Sequence, residues 1–220
     1  MEPGDSQPHR WIKLPRIPPM TVRRLSTYYR ILRGLESQGD TEPLSSERMS
    51  ALTGFSAAQV RRDLAYFGSF GKRGVGYDIQ ELQNSLRAIL GIDRQWSIAL
   101  VGVGNLGMAL LSYRGFSSQG FLIASAFDSD ATKHGRRIGN IVVRPVEELP
   151  KAAKEENIQM AIVTVPPNEA QIVVDQVAAA GIRGILNFAP VQVQAPAGVK
   201  LVRVDLSIEM EYLSYLLTHE

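Results

Sequence analysis

No cysteine occurs among the 220 residues, so disulfides, thiolate metal sites and thiol nucleophiles are excluded together. Histidine is scarce. His9, His134 and His219 are the three present, and each reads as a surface histidine rather than a metal ligand or catalytic base. No uncharged apolar run approaches the roughly 18 residues that a membrane-spanning helix needs, and the N-terminus lacks the apolar centre of a signal peptide. The expectation is a cytoplasmic protein with no membrane partner and no metal. What the chain does have is 45% hydrophobic residues, too many for a disordered protein and enough for two small cores.

The formal charge of +2 hides an uneven distribution, because residues 1–91 hold 13 Lys and Arg against 9 Asp and Glu, while residues 92–220 hold 11 against 13. Residues 6–35 carry seven basic residues, including Arg16 and Arg30, and no acid. Such a bias suits a polyanion, although a solvated basic face would look the same.

Residues 1–20 contain five prolines and read as a flexible arm. From Thr21, the spacing of Val22, Leu25, Tyr28, Tyr29 and Leu32 predicts an amphipathic helix. A short second helix with Met49 and Leu52 on its apolar side ends at Gly54. Ser56 caps a third, whose stripe is Ala57, Val60, Leu64 and Phe67, with Gln59 and Arg62 opposite and Arg61 flanking. The stretch Gly68 to Tyr77, punctuated by glycine and carrying Lys72 and Arg73, predicts a β-hairpin wing. Residues 21–79 thus read as a winged helix-turn-helix. Asp78 and Glu81 resemble a capping box opening a connecting helix, assigned with residues 80–205 to the second domain.

Beyond Gly91, short β-branched runs alternate with helical stretches, at Ile98 to Val101, Phe121 to Phe127, Ile141 to Val143, Met160 to Val165, Gly184 to Leu186 and Lys200 to Val204. That alternation predicts an α/β domain with a doubly wound parallel Rossmann sheet. Gly102-Val103-Gly104-Asn105-Leu106-Gly107 follows its first strand and opens a helix, the context that gives a G-x-G-x-x-G run meaning. Gly102 makes the turn, Gly104 admits a pyrophosphate and Gly107 lets helix meet strand. Asp128 ends the second strand, where a carboxylate accepts hydrogen bonds from ribose hydroxyls and repels a 2′-phosphate. This favours NAD and NADH over the phosphorylated forms, with Lys133 nearby to soften the discrimination. Thr164, Val165 and Pro166, and Phe188, Ala189 and Pro190, are expected to line the same crevice from later strand ends. An apolar wall there would disfavour cationic nicotinamide, giving a preference for NADH.

Catalysis would need an acid or base near the nicotinamide and usually a substrate domain. Neither is evident, since only residues 205–220 follow the last predicted strand. The expectation is no enzyme and no protein substrate. An NAD-dependent oxidoreductase with an accessory DNA-binding domain and a CoA-binding scaffold are the competing readings.

The segments QVRRDLAYFGSFGKRGVGYDI, ALVGVGNLGMAL, TVPP and GILNFAPV together resemble the Rex family of bacterial redox-sensing transcriptional repressors. The resemblance runs over about residues 16–218 and joins winged helix, connecting helix and Rossmann segments in one order. It implies a homodimer bound to a palindromic double-stranded DNA operator when NADH is low and released when NADH binds. It also implies a C-terminal helix, residues 206–220, swapped between subunits. The two apolar faces of that segment, Leu206, Met210, Leu213 and Leu217 on one and Ile208, Tyr212, Tyr215 and Leu216 on the other, suit such an insertion.

In a helix-turn-helix the second helix of the motif enters the major groove. Ser56, Gln59, Arg61 and Arg62 are therefore candidate DNA contacts, joined by Lys72 and Arg73 on the wing and Arg16 in the arm. By resemblance, Arg30, Tyr113 and Asp205 are candidates for a polar switch coupling cofactor to DNA. A surface arginine, a core tyrosine and a helix cap are their ordinary alternatives.

Overall fold

The computed structural model describes residues 17–72 and 74–219, and the chain divides into two compact units between Asp93 and Arg94. Arg16, Arg73 and most of the expected arm lie outside the described residues.

In the first unit, α1 (Pro19–Ser37) begins two residues ahead of the expected Thr21. Proline at the first helical position loses no hydrogen bond, because that N–H has no partner in any helix. Helix α2 (Ser46–Thr53) is capped by Ser45, whose Oγ accepts the Arg48 N–H at 3.0 Å, and ends at Gly54 with φ 76°. Helix α3 (Ala57–Ala65) is capped in the same way by Ser56, which accepts the Gln59 N–H at 3.2 Å. Residues 72 and 76 then bridge as a tight hairpin, and Tyr77 pairs with Leu44 ahead of α2.

Leu25, Tyr28 and Leu32 of α1 meet Met49, Val60 and Leu64 in one buried core. Val22 and Leu52, expected in it, are exposed. Helix α4 (Ile79–Leu90) differs more from expectation. The sequence pattern assigns it to the second domain, yet Ile79, Leu82 and Leu86 complete the first core, with α4 lying against α1. Its apolar stripe is the only part that periodicity reveals; which core takes the stripe depends on long-range packing.

The second unit is a seven-stranded sheet built from β1 (Trp96–Val101), β2 (Phe121–Asp128), β3 (Arg137–Ile138), β4 (Ile141–Pro145), β5 (Met160–Val163), β6 (Gly184–Asn187) and β7 (Lys200–Arg203), in the order β3-β4-β2-β1-β5-β6-β7. All pairings are parallel except the short β3–β4 edge hairpin. Alternate residues feed two cores: Ala99, Val101 and Val163 face one, and Ile98, Leu100 and Ile162 the other. Helices α6 (Leu149–Glu155) and α7 (Ala170–Ala179) cover the first face, and α5 (Asn105–Ser112) the second. This is the Rossmann-like α/β arrangement, in which strand order reverses between β1 and β5 and opens a crevice beyond their carboxyl ends.

Strand β5 ends at Val163 rather than Val165, because Pro166 and Pro167 follow and proline cannot donate to a ladder. No helix joins β6 to β7; the link is pinned instead to α7 by Gln171, which donates to the Gln194 carbonyl and accepts its N–H, both at 2.9 Å. Helix α8 (Leu206–Thr218) closes the chain, with Asp205 as its cap and no buried residue. Among the described residues, no helix is long and apolar enough to cross a membrane.

Candidate functional site

The crevice is built around glycines with three distinct geometries. Gly102 follows β1 with φ 97°, and a Cβ there would lie 2.7 Å from Val165 Cγ1 and 2.8 Å from the Thr164 backbone. Both the turn and the crowding require glycine. Gly107 packs α5 onto β1 so closely that a Cβ would meet the Gly102 carbonyl oxygen at 2.2 Å. Gly104 is the opposite case, with ordinary φ and nothing within 4 Å of the place a Cβ would occupy. Its open side is a cradle that a side chain would fill, which suits close approach of a ligand to the backbone.

Helix α5 carries no side-chain cap, whereas α2, α3, α4 and α8 are each capped by a serine or aspartate oxygen. The N–H groups of its first turn, at Asn105 and Leu106, therefore have no capping side chain among the described residues and suit an anion. Both residues are exposed, while Val103 is buried.

Asp128 ends β2 with its side chain almost wholly buried. One carboxylate oxygen, Oδ2, accepts the Val103 N–H at 2.7 Å and the Lys133 ammonium at 2.9 Å; Oδ1 accepts the Asp130 N–H at 2.9 Å. Burial pushes the carboxyl pKa up, but the hydrogen bonds from Asp130, Lys133 and Val103 outweigh it and hold the group below the usual carboxylate range. The glycine turn and the acidic residue are thus one unit, since Val103 lies between the first two glycines. Across the crevice, Thr164 Oγ1 donates to the Gly102 carbonyl at 2.6 Å.

These residues bound a cleft of about 380 Å³ lined by Gly102, Gly104, Asp128, Lys133, Thr164, Val165 and Pro166. Ser129, Asp130 and Glu169, which sequence reasoning did not single out, line it too; the first two directly follow the strand-ending acid, a signal available in the sequence. Phe188, Ala189 and Pro190, expected along the same crevice from a later strand end, lie just beyond β6 and outside the lining of this cleft. Asn187, fully buried, receives the Ala189 N–H at 3.0 Å and donates to its carbonyl, folding the turn so that Ala189 enters one core while Phe188 packs against the other.

On the first unit, Arg61 and Arg62 of α3 and Lys72 of the hairpin are exposed. Gln59 is half-buried and spends one amide N–H on Asp63 Oδ1 at 2.8 Å, leaving Oε1 and its second N–H. Arg61 Nη1 donates to Ser46 Oγ at 2.6 Å and Glu47 Oε1 at 3.0 Å. A second cleft, of about 580 Å³, lies between the start of α2, Arg61 and the hairpin.

The three expected switch residues occupy ordinary local settings. Arg30 is exposed on α1, Tyr113 is 56% exposed and packs edge-on against Phe116, and Asp205 Oδ1 accepts the Ser207 N–H at 3.0 Å. Eight large apolar residues of α8, from Leu206 to Leu217, are each at least 42% exposed.

Comparison with known proteins follows the same division. Residues 16–65 match the family described as "Putative DNA-binding protein N-terminus" and residues 93–191 the family described as "CoA binding domain". The redox-sensing transcriptional repressor Rex of Syntrophobacter fumaroxidans is 45% identical over 94% of this chain and 99% of its own length. A crystal structure of RSP in complex with β-NAD+ and operator DNA superposes with a TM-score of 0.87, at 34% identity over 92% of this chain and 93% of that one. A crystal structure of RSP with β-NADH gives 0.83, at 33% identity over 92% and 95%.

Proposed function

The chain belongs to the Rex family of redox-sensing transcriptional repressors, and we propose that it converts the balance of NADH and NAD+ into occupancy of a DNA operator. It is a regulator and not an enzyme; it binds nicotinamide dinucleotide and operator DNA. The observation that carries this reading is the pairing, in one chain, of an open-sided glycine turn locked to a buried aspartate with a capped helix pair and hairpin that expose Arg61, Arg62 and Lys72.

The residues of the cleft suit the dinucleotide. Gly104 and the uncapped first turn of α5 would hold the pyrophosphate, and Asp128, kept ionised by its three donors, would accept the adenosine ribose hydroxyls. The bound cofactor supplies the signal as the one positive charge that separates oxidised from reduced nicotinamide. A phosphate on the adenosine ribose, as in NADPH or CoA, would lie against the Asp128 carboxylate, which argues against a CoA scaffold despite the matching family model.

The helices α2 and α3 with the hairpin after them read as a winged helix-turn-helix whose α3 enters the major groove. A palindromic operator follows from a two-fold dimer, and the apolar exposure of α8 supports exchange of that helix between two copies in a cytoplasmic homodimer. NADH would favour the arrangement released from DNA, with Arg30, Tyr113 and Asp205 as the polar contacts that change. Titrating operator binding with NADH and NAD+ side by side tests the proposal. Release by NADH at concentrations where NAD+ leaves the complex intact is the expected result, and equal binding under all conditions would overturn it.

A further inference from the structure

Arg61 and Arg62 are adjacent and exposed on α3, yet they are held in different ways. The Arg62 side chain makes no hydrogen bond or ion pair among the described residues. Arg61 reaches to the start of α2, where Nη1 is shared between buried Ser46 and exposed Glu47. With 54% of the Arg61 side chain and 69% of Glu47 exposed, such a pair contributes little to stability. Its consequence is orientation. A guanidinium with one nitrogen shared between two oxygens is restrained in direction and retains the Nε and Nη2 donors, the pair that a guanine O6 and N7 would accept.

The surroundings point the same way. Arg61 borders the cleft between α2 and the hairpin, with Lys72 also on its lining. A carboxylate at a surface meant for phosphates is costly to nonspecific binding, and Glu47 occupies the first turn of α2, where the helix N-terminus favours it and places it beside Arg61. Its own pKa is held low by its backbone N–H and by Arg61, so it stays ionised at neutral pH.

Resting on the DNA-reading assignment above, we propose that Glu47, aided by Ser46, is a positioning residue for sequence readout: it presents the Arg61 guanidinium to a guanine edge, while Arg62 serves the phosphate backbone. Glu47 thereby gives up affinity for DNA in general and gains discrimination.

The test uses the full chain and a random duplex library. Wild-type protein, Glu47→Gln, Arg61→Ala and the double variant are each put through selection, and binding is then measured on the wild-type-selected duplex and a scrambled one without NADH. Glu47→Gln is expected to lose preference at the same G·C position as Arg61→Ala. It should bind the selected duplex about tenfold more weakly and the scrambled duplex at least as tightly as wild type, with the double variant no worse than Arg61→Ala alone. Ser46→Ala is expected to show a smaller loss at that position. Equal loss on both duplexes, or additive effects of the two changes, overturns the proposal. Failure of the wild type to select any sequence would instead strike the DNA-reading assignment itself.

Discussion

Arg24 of α1 and Asp63 of α3 form a two-pronged ion pair, with Nε 2.6 Å from one carboxylate oxygen and Nη2 2.7 Å from the other. The carboxylate is fully buried, and Thr21, Tyr28 and Gln59 also donate to it, at 3.1, 2.8 and 2.8 Å. Burial pushes the Asp63 carboxyl up, but Arg24, Tyr28 and Gln59 together hold it below the usual range. Burial likewise drives the Tyr28 hydroxyl upward, so it stays protonated and donating. One carboxylate therefore sets how α1 meets α3 and, through Gln59, touches the outward face of α3.

Asp63→Ala is expected to destabilise the first unit by about 3–5 kcal/mol, because it leaves Arg24 and Tyr28 without their acceptor. Hydrogen exchange of α1 and α3 amides measures it, and a change below about 1 kcal/mol would refute the role. The folded pKa lies below the unfolded value of about 3.9, so the stabilisation is complete above that pH and is lost as pH falls through the folded pKa. Asp63→Asn should accordingly be less stable at pH 7 but flatter in its acid dependence.

The three glycines of the turn predict three different variants. Gly104→Ala should keep its melting temperature and lose dinucleotide binding, because its side is open. Gly107→Ala and Gly102→Ala should lose stability as well, by roughly 1–3 kcal/mol or more, because their methyl groups would meet backbone. Melting curves with and without NADH separate the cases; a destabilised Gly104→Ala that still bound NADH would count against the cradle.

Asp128→Ala is expected to weaken NADH binding roughly 10- to 100-fold, the cost of charge-assisted hydrogen bonds, and to weaken NADPH binding much less. Calorimetry on both ligands gives the ratio. Undiminished preference for NADH in that variant would remove Asp128 from the recognition of ribose.

Burying an exposed leucine or tyrosine of α8 is worth about 1.5–3 kcal/mol each. Replacing Leu213 and Leu217 with Glu should therefore turn the proposed dimer into a monomer at micromolar concentration without lowering the melting temperature of the first unit. Sedimentation equilibrium reads the mass directly, and an unaltered dimer would show that another surface holds it.

Local pattern carried much of this protein. The β-branched runs, the glycine spacing and the serine caps each declare themselves within a few residues, because strand alternation, turn geometry and helix ends are local demands on the backbone. Asp128 was legible because the Rossmann connection sets its distance from the glycines. What local pattern does not carry is partnership at long range. Asp63 gathers donors from as far as 42 residues away, α4 joins the core of α1, Arg61 leans on α2, and Ala189 enters a core because buried Asn187 folds its turn. Each was decided by which polar group found a partner and which apolar face found a core once the chain had closed on itself, and neither choice is encoded in the spacing of neighbours.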